Sequence, residues 1–328
     1  MEMALAIGLF LVGLVLLIKG GDWFVDGATG IAHRFHVPEL LIGATVVSIG
    51  TTLPEVMVSA TSAVSGHGEI AYGNAIGSII CNTALIAAIL IAVRPEKVDG
   101  KTFRTPVIFF FCAAALYLIA AYVFGNFSRV VGALLLALFV VYMVVIICQA
   151  KNMPKTITTA TREKEEQQEE FPPMWKDILL LVVGAALIAV GANLLVDNGT
   201  KIAQWLGVPE SVIALTFVAL GTSLPELVTA ITSLVKGHGA LSLGNVVGAN
   251  LFNLVLVSGV STVLSPFTVP QSKMIAGMNA SLVVDLPVML FVMAFLTLPA
   301  LKRGKVTRGQ GITLLAVYAA FCIFQFVS

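Results

Sequence analysis

At 328 residues, with 58% hydrophobic and only 11% charged side chains and a mean hydropathy of +0.98, the chain is too apolar for a water-soluble globule and belongs in a membrane. A formal net charge of +1, with no basic patch interleaved with aromatics, points away from nucleic acid. Cys81, Cys112, Cys148 and Cys322 all fall within apolar stretches and lack metal-site spacing, so they read as packing residues rather than as disulfides or a zinc site.

Bilayer-spanning helices need about 20 apolar residues, and ten stretches qualify: about 3–33, 39–65, 70–93, 105–124, 128–149, 176–204, 210–235, 240–264, 281–301 and 307–327. The first carries Lys19, Asp22 and Asp26, which are expected to pair, cap, reach an interface or gate; no small-residue cleavage site follows it, so it reads as a retained span. The second opens with Glu39 after Pro38, where negative charge suits the helix dipole, and contains Gly50-Thr-Thr-Leu-Pro-Glu55. A Gly-His-Gly turn at His67 leads to the third, which holds Gly73, Asn74, Gly77, Ser78 and Asn82. After the fifth, residues 150–175 form a charged, apolar-poor tether. The sixth span carries Asp197, and the seventh opens after Pro209 with Glu210 and contains Gly221-Thr-Ser-Leu-Pro-Glu226. The eighth follows a second Gly-His-Gly turn at His238 and holds Gly244, Asn245, Gly248, Ala249 and Asn253. In the ninth, Asp285 precedes Leu286 and Pro287, which predicts a helix cap.

The two hexapeptides are offset by 171 (221 minus 50), and the same offset carries Pro38 to Pro209, Thr61 to Thr232, His67 to His238, Asn74 to Asn245, Asn82 to Asn253 and Pro95 to Pro266 without a gap. The chain is therefore a duplication. Residues 1–149 form one repeat with its motif region at 38–95, and residues 176–328 the other with its motif region at 209–266. Five spans per repeat is an odd number, so the second repeat enters the membrane upside down, the inverted design of secondary transporters. The expected fold is an all-α polytopic membrane protein of about ten helices in two inverted-topology five-helix repeats. With both termini outside, about 15 Lys and Arg residues fall at inward-facing ends and about 3 (Arg129, Lys201, Lys273) at outward ends, as the positive-inside bias requires.

Proline inside a helix removes one hydrogen bond, so Pro54 should free the carbonyl of Gly50 and Pro225 that of Gly221, creating carbonyl ligands at membrane depth. Ser48, Thr51, Thr52 and Glu55 lie at i, i+3, i+4 and i+7, one stripe of hydroxyls ending in a carboxylate; the second copy reads Ala219, Thr222, Ser223 and Glu226. On the helix that follows, Asn74, Ser78 and Asn82 share a face, and Gly73 and Gly77 offer close backbone approach. Every candidate ligand is an oxygen, which suits hard cations such as calcium and sodium. A buried carboxylate marks an ion path. Two together carry a formal charge near −2, which one calcium or two or more sodium ions can neutralise, and that competition is a physical basis for exchange.

At these motifs the chain resembles the cation/calcium antiporter superfamily, in its sodium/calcium exchanger branch. The resemblance implies exchange of sodium for calcium across the plasma membrane by alternating access. It implies no enzymatic activity, no cofactor beyond the transported ions, and no protein partner. It implies as ligands Thr51, Thr52, Glu55, Ser78 and Asn82 with Thr222, Ser223, Glu226 and Asn253, joined by backbone carbonyls near Ser48 and Ala219. It also implies that the first and sixth helices slide across the rest. Ala249 stands where many relatives have serine, and Asn253 where potassium-dependent relatives have aspartate, which disfavours potassium cotransport. The linker is too short for the calcium-sensing domain of eukaryotic relatives. Proton/calcium exchange is the alternative, and a channel a further one; an intramembrane protease would need paired catalytic aspartates or a His-Glu-x-x-His motif, and the chain has neither.

Overall fold

Each apolar stretch resolves into a helix in the computed structural model, which describes residues 2–152, 173–206, 221, 223–271, 274–275 and 277–327. The helices are α1 (Glu2–Phe35), α2 (Glu39–Val64), α3 (Gly68–Val93), α4 (Gly100–Phe124), α5 (Arg129–Lys151), α6 (Met174–Trp205), α7 (described over Leu224–Val235), α8 (Gly239–Leu264), α9 (Ser281–Arg303) and α10 (Arg308–Val327). Residues 153–172, most of the expected tether, and 207–220, the start of the seventh span with Pro209, Glu210 and Ala219, lie outside the described residues, as does Thr222. Local chemistry sets the helix ends. Asp99 accepts the backbone N–H groups of Lys101 and Thr102 and Ser128 that of Val131, while Thr307 and Gln310 cap α10 reciprocally through side chain and backbone.

The most extensive helix contact joins α1 to α6, antiparallel. Its cause is glycine at heptad spacing: a Cβ at Gly13 would lie 2.9 Å from the Gly191 carbonyl oxygen, and one at Gly20 2.9 Å from that of Gly184. In lipid, where helices gain nothing from hydrophobic association with one another, such backbone proximity is what holds a pair together. Arg34 closes the seam by donating to the Asp177 carboxylate at 2.9 and 3.2 Å. The pair forms an outer layer that leans on α2 and α7; α3 and α8 run through the middle, and α4, α5, α9 and α10 surround them.

Three of the central segments are wound to i→i+5 spacing: Gly43–Val47 in α2, Asn82–Ala87 in α3 and Asn253–Val257 in α8. Widened turns of this kind displace carbonyls and cluster at functional sites. Here hydroxyls take up part of the freed backbone. Ser48 donates to Gly43 O at 2.7 Å, Ser258 to Asn253 O at 3.0 Å and Tyr142 to Ala44 O at 2.8 Å.

The inverted repeat is written into the backbone contacts. Beyond the third helix of each half the offset becomes 179 (305 minus 126), the extra residues falling where the hairpin of β3 (Met274–Ile275) and β4 (Met278–Asn279) occupies the α8–α9 connection. At one end of the bundle β1 (Asn126–Phe127) pairs antiparallel with β2 (Phe267–Thr268), and at the other Lys97 bridges Lys305; the two offsets convert one contact into the other. Gly125 and Gly304, at φ 63° and 64°, end α4 and α9 in the left-handed conformation that only glycine takes without strain. Where the halves differ is α1 against the described part of α7, which are packed together, while the equivalent α6 scarcely touches the matching part of α2.

Gly20→Leu is expected to wedge α1 from α6 and lower stability by about 1–3 kcal/mol, the usual cost of overpacking. Thermal unfolding of the purified protein by differential scanning fluorimetry checks it; an unchanged melting temperature would mean that the seam is slack.

Candidate cation-binding site

The hexapeptides meet at the centre of the bundle, but their backbones differ. Pro54 lies within the helical run Ser48–Val64, as expected for a proline that costs one hydrogen bond. At the second copy the helix begins anew at Leu224, with Ser223 at φ −92° and ψ 5°, so Pro225 occupies the first turn, where no backbone donor is needed. The expectation that Pro225 breaks a bond inside a continuous helix is therefore corrected: the chain is already turned before it.

Ser48, Thr51, Thr52, Glu55, Ser78, Asn82, Ser223, Glu226 and Asn253 are all buried. Glu55 and Glu226 are fully so, lie near enough to repel each other, and among the described residues have no hydrogen-bond partner on any of their four carboxylate oxygens. Thr51 sits beside the Glu226 carboxylate without the geometry of a hydrogen bond, which brings the two copies into one space. Among the described residues sixteen buried side-chain polar atoms lack a partner, and nine of them belong to Thr52, Glu55, Asn82, Ser223, Glu226 and Asn253. Each such atom costs about 1–3 kcal/mol, more when charged, so a fold that gathers nine of them in one place is shaped to receive something that coordinates oxygen.

The asparagines show how the oxygens are aimed. Asn253 donates its amide to Ala249 O at 3.0 Å, leaving its Oδ1 free toward the site; the residue without a hydroxyl contributes by orienting its neighbour through its backbone. Asn74 donates to Ser59 Oγ at 2.8 Å and to Glu55 O at 3.3 Å, holding α2 against α3 within one repeat. Its mate Asn245 instead accepts from Ser48 and Thr51, each at 3.3 Å, and so ties α8 to α2 across the two repeats. Ser48 has its hydroxyl committed to Gly43 and Asn245, and its backbone carbonyl accepts from the Thr51 hydroxyl at 3.4 Å. At Gly248 a Cβ would collide with Ser48 Oγ, whereas at Gly73 and Gly77 nothing described lies within 4 Å; the positions equivalent to those packed on Gly244 and Gly248 fall among residues 211–219, outside the described residues.

Sequence reasoning passed over Thr229 and Ser233, which extend the Glu226 stripe at i+3 and i+7 and are fully buried with unpartnered hydroxyls. Their mates on α2 are Val58, 41% exposed, and Ser62. Other residues singled out above resolve as structure. Asp26 and Asp22 of α1 pair with Lys236 at the end of α7, at 2.7 and 3.5 Å, whereas Asp197 has no ion pair among the described residues. His238 is more than a turn residue, since its Nδ1 meets Glu39 Oε1 at 2.8 Å and His33 approaches the same oxygen at 3.8 Å. Asp285 does not cap: α9 starts earlier, at Ser281, and the carboxylate accepts from Gln325 at 2.9 Å.

Comparison with known proteins bears on the family and the fold. The profile of the family described as sodium/calcium exchanger protein matches residues 5–148 and 176–327. The sodium/calcium exchanger MaX1 of Methanosarcina acetivorans is 31% identical over 97% of this chain and 97% of its own. The inner membrane protein YrbG of Escherichia coli is 35% identical over 80% of this chain and 81% of its own. A solved structure of the sodium-calcium exchanger NCX_Mj, soaked with sodium and strontium, superposes with a TM-score of 0.79 at 33% identity, covering 97% of this chain and 98% of that one.

Replacing Glu55 or Glu226 by glutamine removes an uncompensated buried charge, so each variant is expected to melt higher than the parent in ion-free buffer while losing most of the stabilisation that saturating calcium gives the parent, about 2.7 kcal/mol at a hundredfold excess over Kd. Paired melting curves with and without calcium decide it, and a lower ion-free melting temperature in both variants would count against the arrangement.

Proposed function

The chain belongs to the sodium/calcium exchanger family, and from that premise we propose that Glu55 and Glu226 are the shared anionic ligands of the sodium and calcium it exchanges across the plasma membrane. The protein is an antiporter and not an enzyme, and its ions are cargo rather than cofactors. The observation that carries the site assignment is the pair of fully buried, unpartnered carboxylates on helices related by the inverted repeat. Thr51, Thr52, Ser78 and Asn82 from the first half and Thr222, Ser223 and Asn253 from the second complete the oxygen set, with the carbonyls of Ser48 and Ala219. Residues 1–149 and 176–328 act as the two halves and 150–175 as a cytoplasmic tether. Proton/calcium exchange, the other reading open at the sequence level, is favoured by no observation in the fold or the site.

The mechanism follows from charge. Empty, the site holds two carboxylates in low dielectric, and carrying that charge past the apolar α1–α6 layer is costly; one calcium or two or more sodium ions neutralise it and free the layer to move. Sodium and calcium compete for the same oxygens, so one leaves as the other enters. With both termini outside, the Lys236 end of the bundle is cytoplasmic. The close packing of α1 on α7 shuts that end, the loose contact of α6 with α2 leaves the other open, and sliding of α1 and α6 exchanges the two. Thr229 and Ser233, which continue the Glu226 stripe toward the Lys236 end, become the lining of the inner path. Lys236 with Asp22 and Asp26 latches the shut state, and it has no counterpart at the other end, where the equivalent positions are Ser65 and Asp197.

Sodium-loaded proteoliposomes are expected to take up calcium when external sodium is withdrawn, with Glu55→Gln and Glu226→Gln each lowering the initial rate by about 10–100-fold, as loss of a charge-assisted ligand implies. Uptake that persists unchanged in both variants overturns the ligand assignment, and uptake driven by a pH gradient without sodium overturns the coupling ion. Lys236→Gln is expected to shift the balance of the two states about two- to fivefold toward the inward-open one, the range of a partly exposed ion pair. Faster hydrogen exchange in residues 22–30 and 228–236 reads that shift.

A further inference from the structure

We infer that the groove between α4 and α9 is a binding site for an anionic phospholipid of the cytoplasmic leaflet. A depression of about 980 Å³ opens between these helices, walled by Ile108, Phe111 and Leu298 and rimmed by Lys101, Arg104 and Lys302. The three cations are exposed, and none has an ion-pair partner among the described residues. Asp99, the one acid at the rim, is engaged with the first backbone N–H groups of α4 and with the Thr102 hydroxyl. From Lys101 to Ala115 the wall runs about 21 Å along α4, enough to pass from headgroup level through the roughly 15 Å of hydrocarbon in one leaflet. A cationic rim over an apolar slot of that depth matches a phosphate diester joined to an acyl chain, and a freely diffusing phosphate would have no use for the slot.

The inverted repeat shows that the fold itself does not demand the charges. The offset of 179 takes Lys101 to Ala280, Arg104 to Val283 and Lys302 back to Val123, so the equivalent rim at the opposite end is wholly apolar. General topogenic charge is satisfied by Lys and Arg anywhere at the inner ends; here three converge on one slot, beside the Lys97–Lys305 bridge that joins the α3–α4 and α9–α10 connections.

The test offers purified full-length protein equal parts of phosphatidylcholine and phosphatidylglycerol and reads retained adducts by native mass spectrometry. Wild type should retain phosphatidylglycerol at least about tenfold over phosphatidylcholine. The combined Lys101→Gln, Arg104→Gln and Lys302→Gln variant should fall to parity, while Lys176→Gln, at the same end on α6, and the charge-keeping Lys101→Arg with Lys302→Arg should hold the preference even if the neutral triple variant folds poorly. Equal retention of both lipids by wild type overturns the inference, as does an undiminished preference in a folded triple variant. Stripping of the adduct by excess inorganic phosphate would also overturn it by making this a free-anion site.

Discussion

Two carboxylates buried at membrane depth with no cation beside them are the constraint from which the rest of this structure follows. Among the described residues neither Glu55 nor Glu226 has a lysine, arginine or hydrogen-bond donor on its oxygens. In a medium of low dielectric that arrangement is affordable only when a mobile ion completes it. The widened turns begin at Asn82 and Asn253, and the amide of Asn253 is turned back onto Ala249, which leaves oxygen acceptors of these residues unpartnered among the described residues.

Duplication solves the geometric problem of bringing such groups together. One motif on one helix presents a single carboxylate to one side; an inverted second copy presents another from the opposite direction, and the two sets meet at the middle. Inversion also makes the two ends of the bundle chemically comparable position by position, so departures from symmetry carry information. Asn74 stays within its repeat while Asn245 crosses to the other. Lys236 latches α1 where Ser65 leaves α6 unlatched, and a cationic groove rim faces an apolar one. Each of these asymmetries sits at a contact between helices.

Much of the fold could be read from the chain because a bilayer leaves few choices. Backbone polar groups in hydrocarbon must bond internally, so apolar runs of span length become helices, and the helix ends among the described residues fall close to where hydropathy placed them. The hexapeptides were legible for a similar reason, since a charge at that depth is too costly to be incidental. What went unread depended on neighbours. Asp285 resembled a cap until α9 proved to start a turn earlier, with Gln325 of α10 waiting for it. Pro225 resembled a kink inside a helix, but Ser223 is in a turn and the described helix begins at Leu224, with Pro225 in its first turn. Thr229 and Ser233 passed as ordinary small polar residues because nothing local says whether a hydroxyl in a helix finds a carbonyl.

The sequence by itself determined the membrane class, the helical spans, the inverted duplication and the burial of the two glutamates, because these rest on hydrophobic length, parity and the cost of buried charge, all properties of composition along the chain. Tertiary structure alone decided which oxygens are left unpartnered among the described residues, which asparagine bridges the repeats, and where α1 pairs with Lys236 at the end of α7. Those outcomes depend on the rotation and spacing of helices distant in sequence, and in lipid that spacing is set by glycine contacts such as Gly20 on Gly184 that take effect only once two surfaces meet.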